Sequence, residues 1–178
     1  MTQELYQKAI KFAAEKHKNQ KVPGTNANYL LHISNVAMEI LLAFTVEANF
    51  ELNHALQMAL LHDTLEDTET NIAELSENFG EKVALGVQAL TKNERLGSKI
   101  DQMTDSLHRI KELEKEVAMV KLADRITNLQ EPPKYWKKDK INHYLKEAAL
   151  IDELLVNTHA YLNNRLRSKM AAYQKYAE

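Results

Sequence analysis

The sequence predicts an all-α protein, one bundle of about eight to nine helices formed by residues 1–178 as a single domain. Three observations carry this expectation. Gly and Pro together make up about 4% of the 178 residues, against roughly 12% in average usage. That is too few turn residues for a β-sandwich, a barrel or a glycine-rich phosphate loop. Hydrophobic residues are 44% of the chain, and they recur at the period of a helix rather than alternating as in a strand. No linker, low-complexity tract or internal repeat divides the chain. One domain of this length buries roughly two thirds of its unfolded surface, enough for a core without staples.

The elements follow in order. Leu5, Ala9, Phe12 and Ala13 form one apolar stripe, with Thr2 placed to cap its start. The stripe fails over residues 19–28, where Pro23-Gly24 marks a turn. Ile33, Val36, Ala37, Ile40, Leu41 and Phe44 resume the period. A third helix is expected over Leu52–Thr64, apolar on most sides and therefore central. Thr68–Thr70 are expected to cap a short helix through Ile72, Leu75 and Phe79, with Gly80 just past its end. Val83, Val87 and Leu90 form the next stripe. Residues 93–116 are polar and helical by propensity. Val117–Leu129 is strongly periodic until Pro132-Pro133 stops it. A long helix through Ile141, Leu145, Ala148 and Leu155 and a final one close the chain.

Composition narrows the function classes. The chain has no Cys and a formal charge of −2, so disulfides, thiolate zinc sites and a cysteine nucleophile are excluded, and the basic face that bulk nucleic-acid binding needs is not expected. Lys134, Lys137, Lys138 and Lys140, with Tyr135 and Trp136 between them, read as a solvated loop after a Pro-Pro stop. No apolar run approaches the ~20 residues of a membrane span, and residues 1–20 are amphipathic rather than signal-like. A cytoplasmic protein with no membrane partner is the expectation.

Ionised groups are expensive on helices that are otherwise apolar. Yet the third helix ends in Ala59-Leu60-Leu61-His62-Asp63-Thr64-Leu65-Glu66-Asp67. His62-Asp63 and Glu66-Asp67 stand four residues apart, which stacks them one turn apart on a helix face. A divalent cation relieves the repulsion among three such carboxylates, and it takes imidazole and carboxylate together. His32 and Asp124 break two other apolar helices in the same way. Each residue alone is also what a structural histidine, a cap or an ion pair looks like. His54, His108, His143 and His159 are read as structural. It is the coincidence of the polar breaks that points to a site.

His32, the His62-Asp63 pair and the distal Asp124 resemble the signature of HD-domain phosphohydrolases. His17-Lys18-Asn19-Gln20, Tyr29-Leu30-Leu31-His32, Ala59 through Thr68 and Val120 through Leu129, with its Leu-Ala-Asp-Arg-x-x-Asn core, resemble more narrowly the hydrolase domain of the RelA/SpoT family. The resemblance spans about residues 1–160 and is strongest to the stand-alone small alarmone hydrolases, which include the metazoan SpoT homologues.

The resemblance implies an HD-domain helical bundle that hydrolyses the 3′-pyrophosphate of guanosine tetra- and pentaphosphate, releasing pyrophosphate, with Mn²⁺ as the metal cofactor. It implies His32, His62, Asp63 and Asp124 as metal ligands and Glu66 and Asp67 as catalytic carboxylates that orient or deprotonate water. Asn128, Lys21, Lys92, Lys140 and Tyr144 become the candidate substrate contacts, and the partner is a purine nucleotide carrying a 3′-pyrophosphate. The loop from Gln20 to Tyr29 departs from the family: Lys21 lacks a guanidinium that stacks on a purine, and Asn28 stands where Pro is frequent. Guanosine and adenosine therefore both remain open. An HD-type nucleotidase and a catalytically silent nucleotide sensor are the alternatives.

Overall fold

The computed structural model describes residues 2–178. These form ten α-helices and a terminal 3-10 turn, with no strand among the described residues. In order they are α1 (Thr2–Lys16), α2 (Leu30–Val46), α3 (Leu52–Leu61), α4 (Thr64–Asp67), α5 (Ile72–Phe79), α6 (Glu81–Leu90), α7 (Lys99–Lys111), α8 (Lys115–Asn128), α9 (Lys138–Leu154) and α10 (Ala160–Tyr173). All but the single turn α4 are eight residues or longer. The predicted all-α bundle is what the chain forms.

Two helices sit at the centre. Ala55–Leu61 of α3 is buried without a break, packed against α1, α2, α6 and α8. Helix α8 is enclosed further: every residue from Glu116 to Thr127 is buried, under α2, α3, α7, α9 and α10. The sequence marked α3 as central; α8 shares that position although four of its buried residues are charged. Such residues need partners. Glu116 Oε1 accepts the Glu51 N–H at 2.7 Å, and Arg125 Nη2 donates to Glu147 Oε2 of α9 at 2.8 Å. On the other side of α2, buried Glu39 accepts two hydrogen bonds from Arg165 of α10, at 2.6 and 2.7 Å.

Several local expectations are corrected. Thr2 is the first helical residue of α1 rather than its cap. The cap of α5 is Asn71, whose Oδ1 accepts from the Glu74 N–H at 3.0 Å; Thr68 instead donates its hydroxyl to Thr64 O. The polar stretch after residue 93 holds a true helix, α7, started by Ser98 Oγ accepting the Asp101 N–H.

The most consequential correction is at the end of α3. The expected helix to Thr64 stops at Leu61, and His62 and Asp63 form a turn before α4. Side chains take the carbonyls that the next helical turn would use: His62 Nδ1 donates to Ala59 O at 2.7 Å and Thr64 Oγ1 to Leu61 O at 2.6 Å. The Asp67 N–H still reaches Asp63 O at 2.9 Å, so both acidic pairs keep their turn-to-turn spacing.

The loop between α1 and α2 is tied by an antiparallel bridge from Lys21 to Asn28. Gly24 has φ +78°, and a Cβ there would lie 2.8 Å from Pro133 Cβ. Only glycine tolerates both the angle and the contact, so the Pro23-Gly24 loop seats directly on the Pro132-Pro133 stop.

Candidate metal centre and active site

Three segments deliver one cluster. His32 comes from the first turn of α2, His62 and Asp63 from the turn between α3 and α4, and Asp124 from the third turn of α8. His32 Nε2 lies 3.2 Å from His62 Nε2, 3.6 Å from Asp63 Oδ2 and 3.4 Å from Asp124 Oδ1. His62 Nε2 lies 3.0 Å from Asp63 Oδ2 and 3.8 Å from Asp124 Oδ1. The donor atoms of His32, His62 and Asp124 all fall within 4.8 Å of one another, and Asp63 joins through the two imidazoles.

This donor set fits a divalent cation. His62 Nδ1–H is committed to Ala59 O, so in the neutral ring Nε2 carries the lone pair, and that lone pair faces the cluster. The two imidazole nitrogens lie 3.2 Å apart and 3.0–3.8 Å from the Asp63 and Asp124 carboxylate oxygens, close enough to share an ion with bonds of about 2.0–2.2 Å. The outer partners are also present. Tyr29 donates its hydroxyl to Asp63 Oδ2 at 2.6 Å, and Asn128 Nδ2 donates to Asp124 Oδ1 at 2.5 Å.

The electrostatics agree with a cation site. Burial works against a charged His62, but Asp63 and then Asp124 outweigh it and push its pKa up to about 9. Burial likewise opposes the charged forms of Asp63 and Asp124. For Asp63, the His62 and His32 imidazoles and the Tyr29 hydroxyl reverse that and hold it well below the usual carboxylate range. For Asp124, the hydrogen bond with His32 does so first, with Lys121 and His62 adding to it. The cluster thus holds carboxylates in their charged form and attracts positive charge, whether protons or a metal.

The cluster opens into a cavity of about 840 Å³, and every candidate residue named from the sequence lines it: His32, His62, Asp63, Asp124, Glu66, Asp67, Lys21, Asn128, Lys92, Lys140 and Tyr144. Within the cavity several of them also engage one another. Asn128 donates one Nδ2 hydrogen to Asp124 Oδ1. Lys92 is bound to Glu66, with Nζ at 2.9 Å from Oε1 and its backbone N–H at 3.1 Å from Oε2. Lys21 reaches Asn26 Oδ1 at 3.3 Å. Lys140 Nζ lies 4.0 Å over the Trp136 ring, whose centroid is 4.6 Å from that of Tyr144.

Asp67 accepts a hydrogen bond from Gln20 Nε2 at 2.7 Å. Burial raises its pKa first, Asp63 adds to the rise, and the Gln20 hydrogen bond partly opposes it. Glu66, tied down by Lys92, and Asp67, with an elevated pKa, are therefore not equivalent.

The cavity also contains residues to which the sequence gave no role. Tyr29, Gln20, Lys121, Arg125 and Glu147 line it, as does His143, read as structural. Tyr29 and Gln20 lie inside quoted motifs, but their partners Asp63 and Asp67 are distant in sequence. Only the positions of Lys121 and Arg125 as charges on a buried helix could have flagged them.

A cluster of the His, His-Asp, Asp pattern that could hold a metal ion, set in a helical bundle, defines an HD-type protein. The HD domain family matches residues 9–151 of this chain. Over 163 residues the chain is 31% identical to guanosine-3′,5′-bis(diphosphate) 3′-pyrophosphohydrolase MESH1 of Danio rerio, covering 89% of this chain and 88% of that one. It is 37% identical over 130 residues to guanosine-3′,5′-bis(diphosphate) 3′-pyrophosphohydrolase of Aquifex aeolicus, 71% of this chain but 18% of the longer relative. The fold is that of a solved metazoan ortholog of SpoT that hydrolyses ppGpp, with a TM-score of 0.81, 24% identity, and coverage of 98% and 97%. The chain belongs to the HD-domain family, in the group that contains the stand-alone MESH1 proteins.

Proposed function

We propose that the chain, acting as one hydrolase domain, removes the 3′-pyrophosphate from guanosine-3′,5′-bis(diphosphate) and nucleotides like it, leaving a nucleoside 5′-polyphosphate and free pyrophosphate. The observation that carries the reading is the convergence of His32, His62, Asp63 and Asp124 with Glu66, Asp67 and a set of cationic side chains in one cavity. The names of the MESH1 relatives, similar over most of both chains, support the substrate.

The ion is read as Mn²⁺, held by His32, His62, Asp63 and Asp124, because a mixed nitrogen and oxygen set without thiolate suits it. When bound it supplies a polarised phosphoryl oxygen and water of lowered pKa. The protein's own groups supply the rest. Hydrolysis forms a bond from the water oxygen to the phosphorus next to the ribose 3′-oxygen, and breaks the bond from that phosphorus to the 3′-oxygen. Asp67, aimed by Gln20, takes the proton that water gives up, and Glu66, fixed by Lys92, orients the water. The 3′-oxygen leaves with the electron pair and takes a proton from solvent water. Lys140 and Lys21 offer charge to the nucleotide's phosphates, and Tyr144 and Trp136 offer aromatic surface. A cytoplasmic location is part of the same proposal, since the relatives' substrate is a soluble nucleotide.

Mn²⁺-dependent release of pyrophosphate from guanosine and adenosine 3′,5′-bis(diphosphates) tests the reading, with Asp63→Ala as the control. Turnover by the wild type and its loss in Asp63→Ala is the expected result. No turnover with metal in excess favours a silent nucleotide sensor, and an unimpaired Asp63→Ala overturns the metal assignment. A large preference for guanosine excludes the adenosine nucleotide as the main substrate.

A further inference from the structure

Lys121 has no part in the scheme above, yet its position is unusual. It stands on α8 one turn before Asp124, with its side chain 7% exposed, and it lines the cavity. Removing an ammonium from water is costly unless hydrogen bonds and charged partners replace the lost hydration. The other buried charges of α8 each have at least one hydrogen bond: Glu116 takes a backbone N–H, Arg125 donates Nη2 to Glu147 although its Nε and Nη1 have no partner among the described residues, and Asp124 is held by Asn128.

Lys121 does not. Among the described residues its one ion pair is with Asp124 Oδ2 at 3.8 Å, longer than any hydrogen bond. Lys92 and Arg125 are close enough to repel it. The fold thus holds a largely buried cation beside the ligand cluster, supplies no hydrogen-bond acceptor for it among the described residues, and leaves it facing the cavity. An anionic ligand would supply what is missing.

We propose that Lys121 is a catalytic residue whose ammonium contacts the phosphoryl oxygens of the substrate's 3′-pyrophosphate. The assignment rests on the hydrolase reading. Negative charge shifts toward the leaving oxygen and the bridging oxygens as the bond from phosphorus to the 3′-oxygen breaks, and a fixed cation there stabilises that state. Lys121 exchanges no proton in this step; its charge acts alone. A competing role, neutralising Asp124 for the sake of the metal, makes a different prediction.

The test uses inorganic pyrophosphate, with equilibrium dialysis in excess Mn²⁺, on the wild type, Lys121→Met and Lys121→Arg. Lys121→Met is expected to bind pyrophosphate at least about tenfold more weakly, as loss of a charged hydrogen bond implies, while retaining the wild-type Mn²⁺ stoichiometry. Its kcat on guanosine-3′,5′-bis(diphosphate) should fall by about 100-fold, and Lys121→Arg should recover most of the binding. Pyrophosphate affinity within twofold of wild type, or Mn²⁺ lost in parallel, overturns the proposal. So does failure of both Lys121→Met and Lys121→Gln to fold, since that makes the residue structural. If the wild type releases no pyrophosphate the hydrolase reading fails, whereas the Lys121 contact still stands or falls on the dialysis.

Discussion

Gln20 and Asp67, 47 residues apart in the chain, meet at 2.7 Å with the Gln20 amide donating to Oδ2. The other end of the amide is fixed too, because Gln20 Oε1 accepts from His17 Nδ1 at 2.5 Å. A buried histidine in the loop after α1 therefore aims the carboxylate read as the proton acceptor. The pH consequence has a definite sign. Asp67 works deprotonated, so activity is present above its pKa and is lost as pH falls through it. Burial and Asp63 already raise that pKa, and the Gln20 hydrogen bond lowers it. Gln20→Leu should move the acidic limb of the kcat profile to higher pH and lower the plateau. A limb that does not move separates Asp67 from the proton transfer.

Tyr29 acts on the cluster from outside, through its hydroxyl on Asp63 Oδ2 at 2.6 Å. Its ring lies between those of His17 and His32, with centroids 5.1 Å from each. Tyr29→Phe keeps the ring and deletes the donor. Metal affinity should fall by about 10–100-fold, the usual cost of losing such a partner, in a competition titration with a chromophoric chelator. Unchanged affinity places the Tyr29 hydroxyl outside the metal's support.

Metal occupancy should be visible in stability. An ion that binds only the folded state at one hundred times its Kd stabilises by about 2.7 kcal/mol. For a chain of this size that is roughly 5–10 °C in Tm. Melting curves with Mn²⁺ and after chelation measure it. Equal melting temperatures at saturating Mn²⁺ contradict a built metal site.

Glu39 and Arg165 provide the contrast, a strong pair with no route to the cavity. Arg165→Met leaves the buried Glu39 carboxylate without its two donors. Removing one partner of a fully buried pair costs about 3–5 kcal/mol. The Arg165 side chain keeps 39% exposure, which screens the pair, so about 2 kcal/mol is expected. Urea denaturation should show that loss with kcat unchanged. A fall in kcat instead links α10 to the site.

What the sequence made legible was the residue out of pattern. His32 and Asp124 stand on faces otherwise filled by Ile33 and Val36, or by Val120 and Ile126, and hydrophobic period alone exposes such breaks. The roles assigned to them came from resemblance to a family, not from period. The break of α3 at His62 was hidden, because local propensity continues through Thr64 and only the bonds to Ala59 O and Leu61 O end the helix. Partners across the fold were hidden for a different reason: nothing local in Gln20, Tyr29 or Glu147 announces Asp67, Asp63 or Arg125. Lys121 shows the limit most clearly. A lysine on a helix is unremarkable until its neighbours prove to enclose it.

The central claim concerns which bond is broken, and product analysis reads it directly. Mn²⁺-loaded protein is incubated with guanosine-3′,5′-bis(diphosphate), and the products are followed by ³¹P NMR. The account predicts GDP and pyrophosphate appearing in equal amounts, with no orthophosphate. Orthophosphate as the first product, or a substrate spectrum that does not change, would contradict it.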